Sequence, residues 1–585
     1  MFKNTSFLAA VVILLGSICF STHAQEPPRV AESEPSNGVI TGRVVNERGE
    51  PMAGATVYVR PIGAMASSRN TTTDTEGNFR VTSLEPALYL VTSYSPAYVL
   101  LPQEPDASPN YYRIGDSVRL ELIRGGVLTG TVTNAAGEPI VGIRVRALRI
   151  GEGADRTPRL FSGGPGDRPT DDRGIYRIYG LPPGTYVVSA GGPGSPQTMQ
   201  MNPFETDVPT YSPSATRDNA AEYSVRSGEE TIADIRYRSD PGRTVSGVVR
   251  VAGQNGAGVT LFGTDGSYIP AASTFQMPGA RGFALTGVGD GEYNVYAQEM
   301  ISPPGPGSAT PDFSISEVKR VSVKGADITG IELTPRPLSV LSGVVELEPS
   351  KAPECQGKRK PEFAEMLIEI QRNQKDPDPP IVMMRLTSNP LSVDSKGGFK
   401  IRNLMPGRYR FNPRFFARYW YLQSITTGSA PATTTAKTAT AAKTDAAANW
   451  TTIRSGEQLS NITITIAQGA ASIRGNITVA EGVANPVMPL VYLVPAEREK
   501  ADDVLRYFVA DVSHEGIFGF NSLPPGRYWA LVQTAPAPEI ATLVKLRLPE
   551  SAEARLKLRR AAEAQKSSVE LKPCQALVDY LLPVK

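Results

Sequence analysis

Histidine is too scarce in this sequence for most catalytic and metal-binding chemistry. Only His23 and His514 occur among the 585 residues. His23 lies in an N-terminal stretch with the layout of a cleaved leader, so a catalytic triad, a Cys-His pair or a multi-histidine metal site would have to be built around His514 alone. The surrounding Ser513-His514-Glu515-Gly516 is typical of a turn. We therefore predict no catalytic residue, no metal ligand, no cofactor and no enzymatic activity.

Carboxylates and glycines give no stronger catalytic signal. Asp171 and Asp172 are adjacent and could bind calcium, but no Asp-x-Asp-x-Asp-Gly series follows them, which favours a role in capping a turn. The phosphate-binding pattern Gly-x-x-x-x-Gly-Lys-Ser/Thr does not occur. Lys and Arg number 60 against 58 Asp and Glu, so the chain lacks the basic excess of nucleic-acid-binding proteins. Nucleic acid is not a predicted partner.

Aromatic side chains are concentrated in residues 413–425, which contain Phe415, Phe416, Tyr419, Trp420 and Tyr421. One buried face of a strand cannot hold so many rings, so some of them should be exposed or lie at a contact between domains. Two interpretations remain open. Alternate rings fill a core while the others pack against a neighbouring loop, or Tyr419, Trp420 and Tyr421 form an exposed platform that stacks on sugar rings and binds carbohydrate.

Cys355 and Cys574 are the two cysteines that remain after the leader, which contains Cys19. Export would place them in a compartment where disulfides form and persist, and one bridge is then the simplest explanation of an even pair. We predict a disulfide between Cys355 and Cys574, with two buried or intermolecular thiols as the alternative. The short basic run from Cys355 to Lys360 is typical of a solvated surface, with an anion site as the alternative.

The elements that carry these residues repeat along the chain. Residues 170–190, TDDRGIYRIYGLPPGTYVVSA, contain a turn, a strand, a sharp reversal at two prolines and a returning strand, which predicts a β-hairpin. Related hairpins recur with their second strand at Tyr89, Tyr293, Tyr409 and Tyr528. We expect Tyr186, Tyr409 and Tyr528 to be buried, each with its hydroxyl bonded to the backbone near the turn.

A second pattern precedes these hairpins. Residues 41–60 and 129–146 share Gly-x-Val and Asn-x-x-Gly-Glu-Pro at a constant offset. Asn and Gly tolerate the left-handed conformation of tight turns, and Pro ends strand pairing. Together with Asp-x-x-Gly-x-aromatic and Leu-Pro-Pro-Gly-x-Tyr, these motifs resemble the carboxypeptidase regulatory-like domain, a family similar in fold to transthyretin and to starch-binding-like sandwiches. The resemblance implies seven-stranded sandwiches placed beside, or used without, a catalytic domain.

The repeats predict an all-β chain, a tandem array of five immunoglobulin-like or prealbumin-like β-sandwich modules with one short helix near the C-terminus. The predicted boundaries of modules one to five are 37–125, 126–242, 243–338, 339–469 and 470–585. Module four carries an Ala/Thr-rich loop at 428–449. Module five carries a helix at about 549–565, where Leu548, Ala552 and Leu556 recur at four-residue spacing.

The N-terminal residues 1–24 combine Lys3, an apolar run from Phe7 to Ile18 and the small-residue ending of a secretory signal peptide. No later segment has the roughly 18 continuous apolar residues of a transmembrane helix. We expect an exported protein of the periplasm, cell surface or medium, with a structural or adhesive role and with envelope proteins or polysaccharide as partners. Carbohydrate binding through module four is the alternative function.

Overall fold

The computed structural model describes residues 38–62, 68–100, 110–151, 158–160, 166–193, 203–251, 255–264, 270–301, 312–373, 391–428, 443–479, 489–513, 515–534 and 551–584. These residues form five consecutive groups of strands, and each group has a hydrophobic core of its own. The all-β prediction and the helix near the C-terminus are confirmed. The module boundaries stay a prediction. The leader, Cys19, His514 and residues 429–442 of the Ala/Thr-rich loop lie outside the described residues.

Modules one and two each pack two sheets face to face. The strands of module one are β1 (Gly38–Asn46), β2 (Thr56–Pro61), β3 (Arg69–Thr72), β4 (Asn78–Leu84), β5 (Tyr89–Tyr94), β6 (Tyr98–Leu100) and β7 (Ser117–Arg124). Those of module two are β8 (Gly126–Thr133), β9 (Arg144–Ile150), β10 (Pro158–Leu160), β11 (Asp167–Pro169), β12 (Ile175–Leu181), β13 (Gly184–Ala190), β14 (Thr210–Tyr211), β15 (Tyr223–Val225), β16 (Glu230–Ile232) and β17 (Ile235–Arg236). Their sheet orders are β4-β1-β7-β6 with β3-β2-β5, and β12-β8-β16 with β10-β9-β13-β14.

Modules three and four follow the same plan, and each contains one strand of 11 residues. Module three contains β18 (Arg243–Val249), β19 (Ala257–Gly263), β20 (Pro270–Gln276), β21 (Gly282–Val288), β22 (Gly291–Ile301), β23 (Asp312–Ile315), β24 (Lys319–Val323), β25 (Ile328–Leu333) and β26 (Arg336–Pro337). Module four contains β27 (Ser339–Glu348), β28 (Met366–Arg372), β29 (Leu391–Ser392), β30 (Gly398–Leu404), β31 (Gly407–Phe415), β32 (Trp420–Gly428), β33 (Lys443–Asp445), β34 (Thr451–Ile453) and β35 (Gln458–Gln468). The sheet orders are β21-β18-β25 with β20-β19-β22-β23-β26, and β30-β27-β35-β32-β33 with β29-β28-β31-β34.

Module five adds the helix. Its elements are β36 (Ala471–Val479), β37 (Pro489–Pro495), β38 (Phe508–Asp511), β39 (Ile517–Leu523), β40 (Gly526–Thr534), α1 (Ala552–Gln565), β41 (Ser568–Leu571) and β42 (Ala576–Val584). The sheets are β39-β36-β42 and β38-β37-β40-β41. Short 3-10 helices at Pro203–Thr206, Arg217–Asn219, Pro353–Cys355, Phe363–Glu365, Arg498–Lys500 and Val504–Arg506 connect strands. None of the helices in the described part of the chain is long and apolar enough to span a membrane.

One strand arrangement is common to all five modules. The first strand of each module pairs antiparallel with the first strand of the second hairpin and parallel with a strand from the end of the module. These central strands are β1, β8, β18, β27 and β36. Because the parallel partner comes from the far end of the module, each sheet is complete before the next module begins. Module three, the weakest repeat in sequence, has this arrangement as well.

A bulge recurs at one position of this sheet. In every module the central strand pairs antiparallel with the first strand of the second hairpin, and this hairpin strand contains one extra residue. The extra residue comes just before the buried aliphatic residue that ends the hairpin strand. The extra residue has a left-handed backbone, and the five equivalents are Ser83, Gly180, Gly287, Asn403 and Ser522, with φ between 56° and 72°. Only two of them are glycine, so the bulge has no common residue type and was not visible as a sequence motif.

The turn motifs are explained by their hydrogen bonds. In Asn-x-x-Gly-Glu-Pro, the Oδ1 of Asn46 accepts from the backbone N–H groups of Arg48 and Glu50 at 2.9 Å, and its Nδ2 donates to the Glu50 carboxylate at 2.8 Å. Asn134 and Glu138 repeat these contacts in module two. The motif therefore encodes a self-supporting turn.

The buried tyrosines of the second hairpin behave as predicted. Tyr186, Tyr409 and Tyr528 are buried, and each hydroxyl donates to the backbone carbonyl four residues earlier at 2.7 to 2.8 Å. Tyr89 and Tyr293 make the same bond to the carbonyls of Glu85 and Gly289. Burial raises the pKa of Tyr186 well above its ordinary value, so the hydroxyl stays a donor.

Helix α1 lies on the second sheet of module five and packs against it through one face. Ser551 caps its first turn, and Leu558, Ala561 and Ala562 pack against Val494, Leu531 and neighbouring rings. Leu556, on which the four-residue spacing was based, is exposed together with Ala552. The packed face therefore contains Leu558 and two small alanines, which allow close contact with the sheet, and not Leu556.

Candidate functional site

Trp420 opens strand β32 and is fully buried in the core of module four. Its indole Nε1 donates to the backbone carbonyl of Arg359 at 3.2 Å. A buried ring cannot stack on a sugar, so Trp420 is not part of an exposed platform. Phe411, Tyr409 and Ile466 fill the same core, as strand alternation requires.

Tyr419 is partly buried and lies between cationic side chains. The ammonium of Lys358 is 4.7 Å from the centre of its ring, and the guanidinium of Arg418 is 5.6 Å away. Its carbonyl oxygen accepts from the N–H groups of Gly469 and Ala470, which link module four to module five. The backbone of Tyr419 thus binds the start of module five, and its ring makes cation–π contacts with Lys358 and Arg418. The basic run at 358–360 is partly explained by this contact.

Tyr421 lies on strand β32, two residues after Tyr419, and faces module five. Burial raises the pKa of its hydroxyl, and the positive charge of Arg506 in module five acts in the opposite direction. Strand β32 also lies against β39 and the short helix Val504–Arg506. Tyr421 is therefore partly buried at a contact between modules.

Phe416 and Glu365 connect module four to module one. The guanidinium of Arg113 lies 5.7 Å from the centre of the Phe416 ring and donates to the Phe416 carbonyl at 3.1 Å. The same guanidinium is 3.7 Å from the carboxylate of Glu365, which is largely buried and also accepts from Arg359 at 2.9 Å. Tyr111 lies close enough to Glu369 and Arg414 for their charges to act on its hydroxyl. Modules one and four are in contact although two modules separate them in sequence.

A cleft of about 300 Å³ lies beside this contact. Module one contributes Arg69, Glu85 and Tyr89 to its lining, and module four contributes Ser392 and Val393. The Tyr89 hydroxyl already donates to the carbonyl of Glu85. Burial raises the pKa of Tyr89. The negative charge of Glu85 raises it further, and the positive charge of Arg69 lowers it. The described lining offers no convergent set of reactive groups.

Module three contacts module four through strand β30 and the turn that follows it. The bulge residue Asn403 accepts from the Phe313 backbone N–H at 2.8 Å, and Arg402 forms a bidentate pair with Asp312 at 2.7 and 2.9 Å. Met405 packs beside Phe313 in an apolar cluster. Module four therefore contacts modules one, three and five, and we call these contacts the module-four hub.

Cys355 and Cys574 lie at the module five side of the hub. Their sulfur atoms are 2.05 Å apart and their Cα atoms 5.4 Å apart. The Cys355 carbonyl accepts from Gln468 at 2.9 Å, and the Cys574 N–H donates to the Gly469 carbonyl at 3.0 Å. The structure thus brings together the two cysteines that the sequence pairs. Whether the bridge forms in the protein as produced stays a prediction.

Catalytic or metal-binding geometry does not appear among the described residues. No group of three or more His, Cys, Asp or Glu side chains there is arranged to hold a metal ion. Asp171 uses its Oδ1 to accept from the N–H groups of Arg173 and Ile175, as expected for a capping residue. Arg113 and Glu365 are among the hub residues that sequence reasoning missed, and neither belongs to a repeated motif.

The fold and the hub define a protein made of interlocked β-sandwich modules. Residues 39–104 and 127–235 match the family model of the carboxypeptidase regulatory-like domain. The two matched segments lie in modules one and two, where the motifs carry the resemblance to this family. The comparison with curated proteins found no match.

Solved structures give weak matches. The minor pilin GBS52 of Streptococcus agalactiae is 12% identical over 34% of this chain and 96% of its own, with a TM-score of 0.19. The shaft pilin SpaA of Lactobacillus rhamnosus GG is 11% identical over 35% of this chain and 98% of its own, with a TM-score of 0.17. The TIE protein of Bacillus anthracis is 12% identical over 74% of both chains, with a TM-score of 0.14. TM-scores of this size do not establish a common overall arrangement.

Proposed function

We propose that this protein is an exported, non-catalytic structural or adhesive protein of the cell envelope. The observation that carries the proposal is the use of the aromatic segment in module four. Phe416, Tyr419 and Tyr421 contact other modules or the links to them, and Trp420 fills a core. The aromatic side chains that could have formed a ligand-binding platform thus serve contacts between modules and the core of module four. The carboxypeptidase regulatory-like domain is a non-catalytic family and supports a structural or adhesive role.

Export is supported by the signal-like composition of residues 1–24. Cells that produce the full-length chain should yield a protein whose N-terminus is Gln25 and that fractionates with the envelope or the medium. N-terminal sequencing of the fractionated protein measures both. A protein that retains Met1 and stays in the cytoplasm would contradict export without bearing on the module contacts.

The role is tested by binding to isolated envelopes. We expect purified protein to co-sediment with envelopes, and binding to disappear when the envelopes are treated with protease first. Digestion of the envelope polysaccharide should leave binding unchanged. Binding that survives protease but disappears after polysaccharide digestion would replace this proposal with carbohydrate binding, and no co-sedimentation at all would contradict a structural or adhesive role.

The carbohydrate-binding alternative now rests on Tyr419 and Tyr421. Sugar stacking requires an exposed ring face, and both rings are partly buried. If a glycan is retained, the double variant Tyr419→Ala/Tyr421→Ala should abolish retention, whereas Tyr58→Ala, which removes an exposed ring of module one, should not. Equal retention by the parent and the double variant would eliminate this site.

A further inference from the structure

The larger sheet of module three has an apolar outward face, and module four covers only part of it. Strand β19 of this sheet turns Val259 and Leu261 into the core of module three. On the opposite face, Phe262 stacks on Tyr296 of β22 with ring centres 6.0 Å apart. These two rings form a buried cluster with Phe313, Ile315 and Leu338, against which Met405 of module four packs.

The other part of this outward face is exposed. Phe275, Met277 and Met300 are 51%, 68% and 44% exposed. Ala257 of β19 pairs with Gln276 on one side and with Glu299 on the other, and both partners are buried. Met277 follows Gln276 in the chain, and Met300 follows Glu299. Since successive side chains alternate between faces along a strand, Met300 lies on the outward face. Met277 directly follows the last residue of β20 and begins the turn at the edge of this face. Phe275 is paired with Gly258 in the same sheet. We call Phe275, Met277, Met300 and Gly258 the module-three patch.

The module-three patch is continuous with the contact that module four makes. Met300 is the direct cross-strand partner of Phe313, and Gln298, which pairs with Gly258, is the partner of Ile315. Phe313 and Ile315 both belong to the cluster that Met405 covers. The same sheet face thus binds a sandwich module of this chain at one end and presents a similar apolar surface at the other.

The patch combines an open position with an exposed, protruding side chain. A Cβ atom at Gly258 would have only the Gln298 carbonyl oxygen within reach, at 4.0 Å, so the backbone there forms an open hollow. Nearby Met277 is a protruding, flexible and polarisable side chain of the kind that fills irregular gaps. A knob and a hollow on one patch can engage a second patch reciprocally, which is the requirement for a two-fold interface.

We propose that the module-three patch is a dimerisation surface that binds the same patch on a second copy of this chain. Its residues form the apolar centre, since a stable interface buries about 800 Å² on each partner and needs the surrounding surface as a rim. The proposal concerns self-association alone and does not depend on export or on the envelope role.

Sedimentation equilibrium of the purified full-length protein tests the proposal. We expect a monomer–dimer equilibrium within about 1 to 100 µM. Met277→Glu places a charge in the apolar centre, and Gly258→Gln fills the hollow; each should weaken the dimer by about tenfold or more. Gly258→Gln is informative because a Cβ atom at this position has no atom of the monomer closer than 4.0 Å, so the substitution begins without a clash.

Ile232→Glu is the matched control, since Ile232 is 67% exposed on module two and outside the patch. It should leave the dissociation constant within about twofold of the parent's. Unchanged circular dichroism and unfolding midpoints establish that each variant is folded. A parent that stays monomeric throughout the concentration range overturns the proposal. So does a dimer that Met277→Glu and Gly258→Gln leave intact, or one that Ile232→Glu weakens equally.

Discussion

Tyr186 shares its environment with Tyr89, Tyr293, Tyr409 and Tyr528, each bonded to the carbonyl four residues before it. The hydroxyl closes the corner between two strands, and the ring of Tyr186 fills the core beneath it. This contact was predictable because the turn and the tyrosine are only four residues apart. Local hydrogen bonds of this kind depend on the motif and not on how the modules are arranged.

Tyr186→Ala should lower the opening free energy of module two by about 3 to 5 kcal/mol, because it removes a large buried ring. Tyr186→Phe keeps the ring but leaves the Pro182 carbonyl without its donor, and should cost about 1 to 2 kcal/mol. Native-state hydrogen exchange of the β9 and β13 amides measures the change within the full chain. Tyr94→Phe, at an exposed tyrosine of module one, is the control and should have no effect. Equal exchange in Tyr186→Ala and the parent would contradict the assigned role.

The fate of the aromatic segment shows where sequence reasoning stopped at the residue scale. The excess of rings over one buried face was predicted, and a contact between domains was one of the two places expected for the surplus rings. The identity of the partner could not be predicted, because Phe416 meets Arg113, about 300 positions away and in no repeated motif.

At the scale of elements, the recurrent bulge tests how the hairpins are built. Gly180 has φ 70°, and a Cβ atom added to it would have nothing within 4 Å, so Gly180→Ala changes backbone strain and little else. We expect a loss of about 1 to 2 kcal/mol in module two. Ser522 is the equivalent residue of module five, with φ 56°. Because glycine adopts this conformation without strain, Ser522→Gly should leave the stability of module five unchanged or raise it. Hydrogen exchange of β12 and β39 compares the two; a Gly180→Ala variant as stable as the parent would argue against the left-handed bulge.

Helix α1 shows that the presence of an element can be predicted more easily than its packing. Strong helix formers and the Ser551 cap fix its extent, and these signals are local. The buried face depends on the sheet beneath it. Arg559 donates to the carbonyls of Pro495 and Ala496 at 3.0 and 2.9 Å, contacts that no helical periodicity reveals.

Ala562→Leu should therefore destabilise module five by about 1 to 3 kcal/mol, because the fully buried alanine leaves no room for a larger side chain. Leu556→Ala, on the exposed face, should change stability by less than about 0.5 kcal/mol. Hydrogen exchange across residues 552–565 distinguishes the variants. The opposite ranking would contradict the packing of α1 through Ala562.

At the scale of the whole molecule, the predicted disulfide joins modules four and five across 219 positions. The chain-entropy model assigns such a loop about 5 kcal/mol, which is an upper figure because the folded modules already restrict the intervening chain. Peptide mapping under non-reducing conditions should recover Cys355 and Cys574 in one linked peptide pair. Two free thiols in protein from an oxidising compartment would exclude the bridge, and a disulfide-linked dimer would assign the cysteines to an intermolecular bond.

The most direct test of the interlocked arrangement is the contact between modules one and four. Arg113 is the side chain that joins them, since it reaches the buried carboxylate of Glu365 and the carbonyl of Phe416 together. Arg113→Ala leaves Glu365 with Arg359 alone, and a partly buried pair of this kind should lose about 1 to 2 kcal/mol. Hydrogen exchange in residues 110–116 and 363–369 should then accelerate about tenfold, while exchange in the core of each module stays unchanged.

Arg177→Ala, which breaks an exposed ion pair with Glu230 inside module two, is the control and should not alter exchange at these segments. If Arg113→Ala exchanges like the parent, module one is held by the chain through modules two and three and not by the module-four hub.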